Sequence, residues 1–108
     1  GGVIGLNGAS LLCDIENPRE ADTKRLAAHL LHQKSIVGMK HCCLGLDQVR
    51  RIANVALPDE LSHNFDIIPE YAGLATLVDE LLANGTTEDE VRDFLGGNLL
   101  RLIGSVIG

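Results

Sequence analysis

Two short apolar runs on either side of a helical pattern constrain the fold of this chain more than any other feature. Residues 1–8 read GGVIGLNG, and residues 41–47 read HCCLGLD. Each run has the length of a buried strand and ends in residues typical of turns. Because the segment between them is helical, the order strand, helix, strand predicts a βαβ unit with two parallel strands.

The connecting helix carries signals at both ends. Asn17 stands at a capping position, Pro18 fits the first helical position, and Glu20 stands where a capping box needs a carboxylate. The apolar stripe that follows consists of Leu26, Ala27, Leu30, Leu31 and Val37. Gly38 predicts the end of this helix.

The next segment, residues 48–69, lacks a clear period. Loops of this length in compact domains are usually functional or disordered. Residues 59–63 within it are compatible with one short helical turn. We therefore treat residues 48–69 as a long loop.

Helices are predicted for the rest of the chain. Residues 74–83 are amphipathic, and Asn84-Gly85 ends that helix. Its inner face is predicted to be Leu74, Leu77, Val78, Leu81 and Leu82. Thr87 with Glu90 predicts a capping box for the following helix. Residues 98–107 are again apolar at helical spacing, with Asn98 as a candidate cap and Arg101 as a candidate partner for a carboxylate.

Charge and aromatic content exclude several classes of partner. The formal net charge is −6 over 108 residues, and aromatic residues make up 3%. Nucleic acids and anionic membranes need clustered positive charge, and single-stranded nucleic acids are also bound by stacking aromatics. No apolar run reaches the length of a membrane span. We therefore expect neither a nucleic-acid partner nor a membrane segment in this chain.

The cysteines stand at Cys13, Cys42 and Cys43, an odd number without a CxxC pair. A disulfide-stapled secreted domain normally shows an even set, and a zinc site needs paired ligands at loop spacing. We expect free, mostly buried thiols in a reducing compartment, which favours a cytoplasmic location.

Two parallel strands alone cannot bury both faces and both edges of a sheet. The chain therefore reads as part of a larger α/β sheet or barrel.

Residues 29–47, HLLHQKSIVGMKHCCLGLD, resemble the strand-7-helix-strand-8 region of the renal or membrane dipeptidase family of zinc dipeptidases. The matching features are His29 with His32, Val37-Gly38 with His41, and Gly45-Leu46-Asp47. The opening GGVIGLNG is similar to the preceding strand of that family. The tail, with its TEDEVR and GGNLLR segments, is similar to the family's last helices.

This resemblance implies an α/β fold in which residues 1–108 form the C-terminal third of a (β/α)8 TIM barrel, namely its last two strands with their covering helices. Residues 48–69 would be a long loop on the active-site side, and residues 70–108 would be the C-terminal helices. The segment Gln48-Val49-Arg50 departs from the Phe-Asp-Gly of eukaryotic members, so the bacterial branch matches better.

The resemblance also implies where the chemistry lies. Catalytic groups of such barrels stand at the C-terminal ends of the strands. Asp47 is the expected catalytic and substrate-binding residue, which would hold the amino group of a dipeptide or protonate the leaving amine. Asn7, at the end of the preceding strand, would bind the substrate or orient a neighbouring group. The structural alternatives are a loop-starting aspartate and an Asn-Gly turn.

The family uses two zinc ions, whose ligands stand on earlier strands, so no metal ligand is expected here and the isolated chain should be inactive. His29 and His32 are interpreted as a packing or surface pair, and His41 as structural. His63 is left unplaced. Arg50 and Arg51 would either meet a substrate carboxylate or be solvated or paired with acids, and the second interpretation is preferred.

Two other kinds of function stay open from the sequence. In the first, the chain is a non-catalytic module that associates with itself or with a partner, such as an N-terminal barrel portion, through exposed sheet edges. Alternatively, residues 70–108 would form a small helical interaction domain.

Overall fold

A two-stranded parallel sheet lies at the centre of the structure, a computed structural model that describes residues 1–48 and 64–108. Strand β1 spans Ile4–Leu6 and strand β2 spans Cys42–Leu44. Helix α2, Thr23–Val37, connects them, with the short helix α1, Ser10–Cys13, before it. The predicted βαβ unit with parallel strands is confirmed.

The start of α2 differs from the prediction. Asn17 makes no side-chain cap bond and precedes only a single 3-10 turn, Pro18–Glu20. The backbone N–H of Asn17 donates instead to Asp14 Oδ1 at 2.9 Å. Asp22 is the actual cap, because its Oδ1 accepts from the Arg25 N–H at 2.9 Å. The predicted cap at Asn17 is therefore wrong, since the chain extends again before the helix begins.

Three other predicted helix ends are confirmed. Gly38 ends α2 with a φ of 82°, and Gly85 follows helix α3 with a φ of 88°. Helix α3 spans Leu74–Ala83, after a 3-10 turn at Tyr71–Gly73. The short helix α4, Glu88–Arg92, begins with the predicted capping box between Thr87 and Glu90.

The core lies between one face of the sheet and the helices. Leu77 and Leu81 of α3 are completely buried against α2, as predicted, whereas Leu82 is 40% exposed and does not belong to the inner face. The buried cluster consists of Leu6, Leu26, Ala27, Leu30, Met39, Cys42, Leu46, Ile68, Leu77, Leu81, Val91 and Phe94. Gly5 on β1 and Gly45, which directly follows β2, are exposed, so the helices described here do not cover the whole sheet.

The C-terminal helix is joined to α4 without a break. A π-helical turn, Asp93–Gly97, leads directly into helix α5, Asn98–Ile107. Asn98 is buried and caps nothing: its Nδ2 donates to the carbonyls of Met39 at 2.8 Å and Cys42 at 2.9 Å. The predicted cap at Asn98 is wrong, because the helix already continues through Gly97.

Arg101 extends this connection to the amino end of β2. Its guanidinium donates to Asn98 Oδ1 at 3.0 Å and to the Lys40 carbonyl at 2.7 Å. The predicted pairing with a carboxylate is therefore wrong for the part of the chain that the structure describes. We call Asn98 and Arg101 with their backbone partners the C-terminal brace.

The three cysteines are free and buried, as predicted. Burial raises the pKa of all three thiols, and the adjacent Asp14 carboxylate adds to this effect for Cys13. None of the helices in the two described ranges is long and apolar enough to cross a membrane.

The predicted long loop lies largely outside the described residues, as does the possible turn at residues 59–63. Its end returns to the sheet, where Asp66 forms an antiparallel bridge with Ala9. Ser10 is completely buried there, and its Oγ accepts from the Phe65 N–H at 2.9 Å. This contact anchors residues 64–68 beside the carboxyl end of β1.

Candidate active site

Asn7 and Asp47 lie together at the carboxyl ends of the two strands. Asn7 directly follows β1, and Asp47 follows β2 after Gly45 and Leu46. Since parallel strands end at the same edge of a sheet, the two side chains meet although 40 positions separate them in the sequence. Asn7 Nδ2 donates to Asp47 Oδ2 at 3.3 Å. The structure thus brings the two sequence-predicted site residues into one pair.

The backbone fixes the orientation of the Asn7 amide. Its Oδ1 accepts from the Ala9 N–H at 2.8 Å. A backbone N–H can only donate, so the oxygen of the amide must face Ala9 and the nitrogen must face Asp47. Asn7 therefore acts first as a donor to the carboxylate, which is the orienting role among those that the sequence left open.

Asp47 has an unusual backbone conformation. Its φ is +51°, and no other non-glycine residue in the described ranges has a positive φ. A left-handed conformation is uncommon outside glycine, although aspartate tolerates it better than most residues. Such conformations persist only where the surrounding structure holds them in place, and they are found most often at functional sites.

Close backbone contact holds the strand ends together below this pair. The Gly8 N–H donates to the Leu46 carbonyl at 3.0 Å. A Cβ on Gly8 would lie only 3.2 Å from that carbonyl oxygen, so glycine permits the approach. Gly8 thus permits the close approach of the two strand ends, and Asn7 beside it bonds to Asp47. The interpretation of Asn7-Gly8 as a turn is therefore compatible with a functional role for Asn7.

A cleft of about 330 Å³ opens beside Asp47. Its lining consists of Leu44, Leu46, Asp47, Gln48 and Tyr71. Gln48 is held in place, because its Nε2 donates to the Ile68 carbonyl at 2.8 Å. This volume is at the lower end of those that hold small molecules. The cleft therefore offers walls of mixed polarity next to one carboxylate.

Sequence reasoning missed Gln48 and Tyr71 as parts of this cleft. In the sequence, Gln48 is noted only as a departure from a family pattern, and Tyr71 is not singled out. A signal was present for Gln48, since it immediately follows the candidate aspartate at a strand end. Tyr71 reaches the cleft through the turn before α3, and no local pattern in the sequence indicates that return.

The other predicted candidates do not join the pair. His29 and His32 are exposed on α2, as predicted for a surface pair. The Nδ1 atom of His41 lies 2.8 Å from the Gly2 carbonyl oxygen, at the opposite end of the strands. Arg50, Arg51 and His63 lie outside the described residues.

The donor set does not fit a zinc ion. Within residues 1–48 and 64–108 no group of three His, Cys, Asp or Glu side chains could hold a metal. Asp47 has the amide of Asn7 as its hydrogen-bond partner rather than a second acid or a histidine. The described residues at this edge of the sheet therefore present one carboxylate beside one amide.

Comparisons with known proteins identify the family of this chain. The family described as Membrane dipeptidase (Peptidase family M19) matches residues 1–107. A Klebsiella pneumoniae protein described as an uncharacterized protein in the pqqA 5' region is 30% identical over 108 residues, covering 98% of this chain and 36% of that protein. Dipeptidase aclJ of Aspergillus oryzae is 29% identical over 100 residues, covering 90% of this chain and 21% of that protein.

No solved structure matches the chain. The chain spans about a third of the length of the first relative and about a fifth of the second. The family match nevertheless covers the strands, the Asn7–Asp47 pair and the C-terminal helices together. This chain belongs to the membrane dipeptidase family, peptidase family M19.

Proposed function

We propose that this chain forms the last two strands and the C-terminal helices of a (β/α)8 barrel that hydrolyses dipeptides. Family membership, the parallel βαβ unit and the relative named as a dipeptidase support this proposal. The observation that carries it is the hydrogen bond between Asn7 and Asp47, since active groups of such barrels stand at the carboxyl ends of the strands.

Asp47 is the proposed catalytic and substrate-binding residue. A carboxylate has two acceptor oxygens, and Asn7 engages one of them, Oδ2. The other oxygen is left for one of two roles. It accepts a hydrogen bond from the amino group of a dipeptide, or it takes a proton from the water that attacks the peptide carbonyl carbon and passes this proton to the leaving amine nitrogen as the new C–O bond replaces the C–N bond. Asn7 keeps the carboxylate in the orientation that either role needs.

The cleft beside Asp47 is the proposed place for a small side chain of the substrate. Leu44 and Leu46 supply apolar walls, and Tyr71, which is 66% exposed, lines the same cleft. A dipeptide held by Asp47 would place one side chain within reach of these walls. Residues 48–69 are proposed as a loop on the same side of the barrel.

Only the resemblance to the family supports the presence of zinc ions in the complete enzyme. The described residues provide no ligand set for them, so the ions would be held by parts of the enzyme outside this chain, and we assign them no step here. For the same reason the 108-residue chain alone is expected to be inactive.

The test is to purify, through an affinity tag, the native protein that carries this sequence, then to assay dipeptide hydrolysis and record metal content by native mass spectrometry. The proposal expects hydrolysis by zinc-containing native material and none by the isolated 108-residue chain supplied with zinc. Zinc-loaded native material that cleaves no dipeptide, or turnover by the isolated chain, would contradict it.

A further inference from the structure

Asp47 has a left-handed backbone that its surroundings must impose. Its φ is +51°, and in this region the Cβ of an L-residue comes too close to the following carbonyl oxygen. The bond from Asn7 reaches only the side-chain carboxylate, at 3.3 Å, and it is exposed. The contacts that hold the backbone of Asp47 therefore have to come from its two neighbours in sequence.

On the amino side of Asp47, the backbone is fixed at Leu46. Leu46 is buried, and its carbonyl accepts the Gly8 N–H at 3.0 Å. This carbonyl belongs to the peptide group that joins Leu46 to Asp47. The peptide group before the left-handed residue is therefore tied to the end of β1.

On the carboxyl side, the side chain of Gln48 supplies the second attachment. Gln48 is half-buried, and its Nε2 donates to the Ile68 carbonyl at 2.8 Å. A backbone carbonyl can only accept, so the amide nitrogen of Gln48 must face Ile68. This bond is shorter than the one between Asn7 and Asp47. Gln48 thus joins the residue after Asp47 to a distant part of the chain.

The acceptor of this bond is itself well anchored. Ile68 is 2% exposed and belongs to the buried core. We call residues 64–68 the return segment. Its Ile67 N–H donates to the Gly8 carbonyl at 2.9 Å, and its Phe65 N–H donates to Ser10 Oγ at 2.9 Å. The return segment is therefore bonded along the residues that follow β1.

These bonds close a ring around Asp47. The ring runs from Leu46 to Gly8, from Gly8 to the return segment, and back through the side chain of Gln48. Asp47 is the single residue between the two attachments, so a change in its φ would strain one of them. We propose that Gln48 is a positioning residue, which holds Asp47 in its left-handed conformation and thereby aims the carboxylate. This inference rests on the proposed function.

A purely structural role for Gln48 makes a different prediction. Buried carbonyls are normally bonded, and the loss of a partner destabilises the fold. In that case the unfolding midpoint would depend on Gln48, whereas turnover by the folded protein would not. A residue that acts through Asp47 instead loses its effect on turnover once the Asp47 carboxylate is removed. A double-mutant cycle separates these two roles.

The experiment measures kcat and KM for a dipeptide in the native protein that carries this sequence. The variants are Gln48→Met, Asp47→Asn and the combination of both. Methionine is unbranched and similar in length to glutamine, but it has no donor. Gln33→Met is the matched control, because Gln33 is also half-buried but lies on α2, outside the residues that line the cleft. Urea unfolding followed by circular dichroism verifies that each variant folds.

We expect Gln48→Met to lower kcat/KM at least about tenfold, through the same parameter, kcat or KM, that Asp47→Asn changes. In the Asp47→Asn background the same substitution should change kcat/KM less than about twofold, and Gln33→Met should have as small an effect in the wild type.

Two results with an active wild type would overturn the inference alone. One is unchanged turnover by Gln48→Met, with or without a lower unfolding midpoint. The other is an equal loss of turnover in the wild-type and Asp47→Asn backgrounds, since Gln48 would then act independently of Asp47. A native wild type that hydrolyses no dipeptide would overturn the proposed function, and the inference with it.

Discussion

The two ends of the β1–β2 sheet are built differently. At the amino end of β2, Asn98 of the C-terminal brace is buried and makes two hydrogen bonds of 2.8 and 2.9 Å to backbone carbonyls. At the carboxyl end, Asn7 makes a longer bond of 3.3 Å to an exposed carboxylate, and Asp47 has a left-handed backbone. Each end therefore has one asparagine, but in different environments.

The buried hydrogen bonds at the amino end contribute to stability, whereas the exposed carboxylate at the carboxyl end is available for binding. Buried polar groups must be bonded, and removing one partner leaves the other unpaired at a large cost. An exposed carboxylate with an acceptor to spare contributes little to folding but is available to a ligand. In barrels generally, the carboxyl ends of strands carry function and the amino ends carry stability. The predictions below test whether this division holds here.

The largest effect on stability is expected for Asn98→Leu. The substitution removes both bonds to the Met39 and Cys42 carbonyls and leaves Arg101 without one partner, so the free energy of unfolding should fall by about 3 kcal/mol. Urea unfolding followed by circular dichroism measures it. The same substitution at the other end, Asn7→Leu, should cost less, about 1–2 kcal/mol, because the bond to Asp47 is exposed and the bond from the Ala9 N–H is only partly buried. Equal losses at the two positions would remove the distinction between the ends.

A smaller effect is expected for Glu90→Gln. Glu90 closes the capping box of α4, and its Oε2 lies 2.8 Å from the Nζ of Lys34 on α2. The hydrogen bond from Lys34, followed by that from the Thr87 N–H, lowers the pKa of Glu90. Glutamine keeps the cap but removes the charge, so we expect a loss of about 0.5–1 kcal/mol at neutral pH.

The pH dependence of this variant follows from the direction of the shift. A carboxyl with a lowered folded pKa stabilises the fold above its unfolded value, and this contribution disappears as the pH falls through the folded value. The difference between wild type and Glu90→Gln should therefore shrink on acidification below the ordinary range of a glutamate. Urea unfolding at a series of acidic pH values measures it, and a constant difference would refute the assignment.

At the carboxyl end, Asp47→Gly should leave stability unchanged or raise it by up to about 1 kcal/mol. Glycine adopts a positive φ without steric cost, whereas aspartate with a φ of +51° is held there by its surroundings. Thermal unfolding measures the change. A loss above about 1 kcal/mol would show that Asp47 is structural, and the site assignment would then lose its physical basis.

The smallest effect is expected for thiol reagents. Burial raises the pKa of Cys13, Cys42 and Cys43, so the reactive thiolate is scarce and sheltered in the folded chain. Alkylation by iodoacetamide near neutral pH should be at least about tenfold slower than in urea. Mass spectrometry counts the adducts, and one rapidly modified cysteine would identify an exposed thiol that the fold does not show.

Local signals were sufficient for part of the fold. The two apolar runs, Gly38, and the Thr87 and Glu90 capping box each depend on neighbours in sequence, and each was predicted. The cap of α2 was misplaced because Asn17-Pro18 also suits a 3-10 turn, and the choice of Asp22 depends on where the chain extends again. The helix propensities of the individual residues do not decide which of two neighbouring capping signals begins the helix.

The brace and the site differ in how far they could be foreseen. Asn7 and Asp47 were predicted from the family resemblance, each near the end of a strand, and parallel pairing brings the two side chains together. The role of Asn98 depends on carbonyls 56 and 59 positions away, so its sequence context suggested only a cap. Tyr71 reaches the cleft in the same non-local way.

The most direct test of the central claim compares Asp47→Asn with Asp79→Asn in the native protein. Both substitutions remove one exposed carboxylate, and Asp79 lies on α3 outside the residues that line the cleft. The account predicts that Asp47→Asn lowers kcat/KM for a dipeptide at least about 100-fold while the unfolding midpoint stays unchanged. Asp79→Asn should change neither quantity. Full dipeptide hydrolysis by Asp47→Asn would contradict the account.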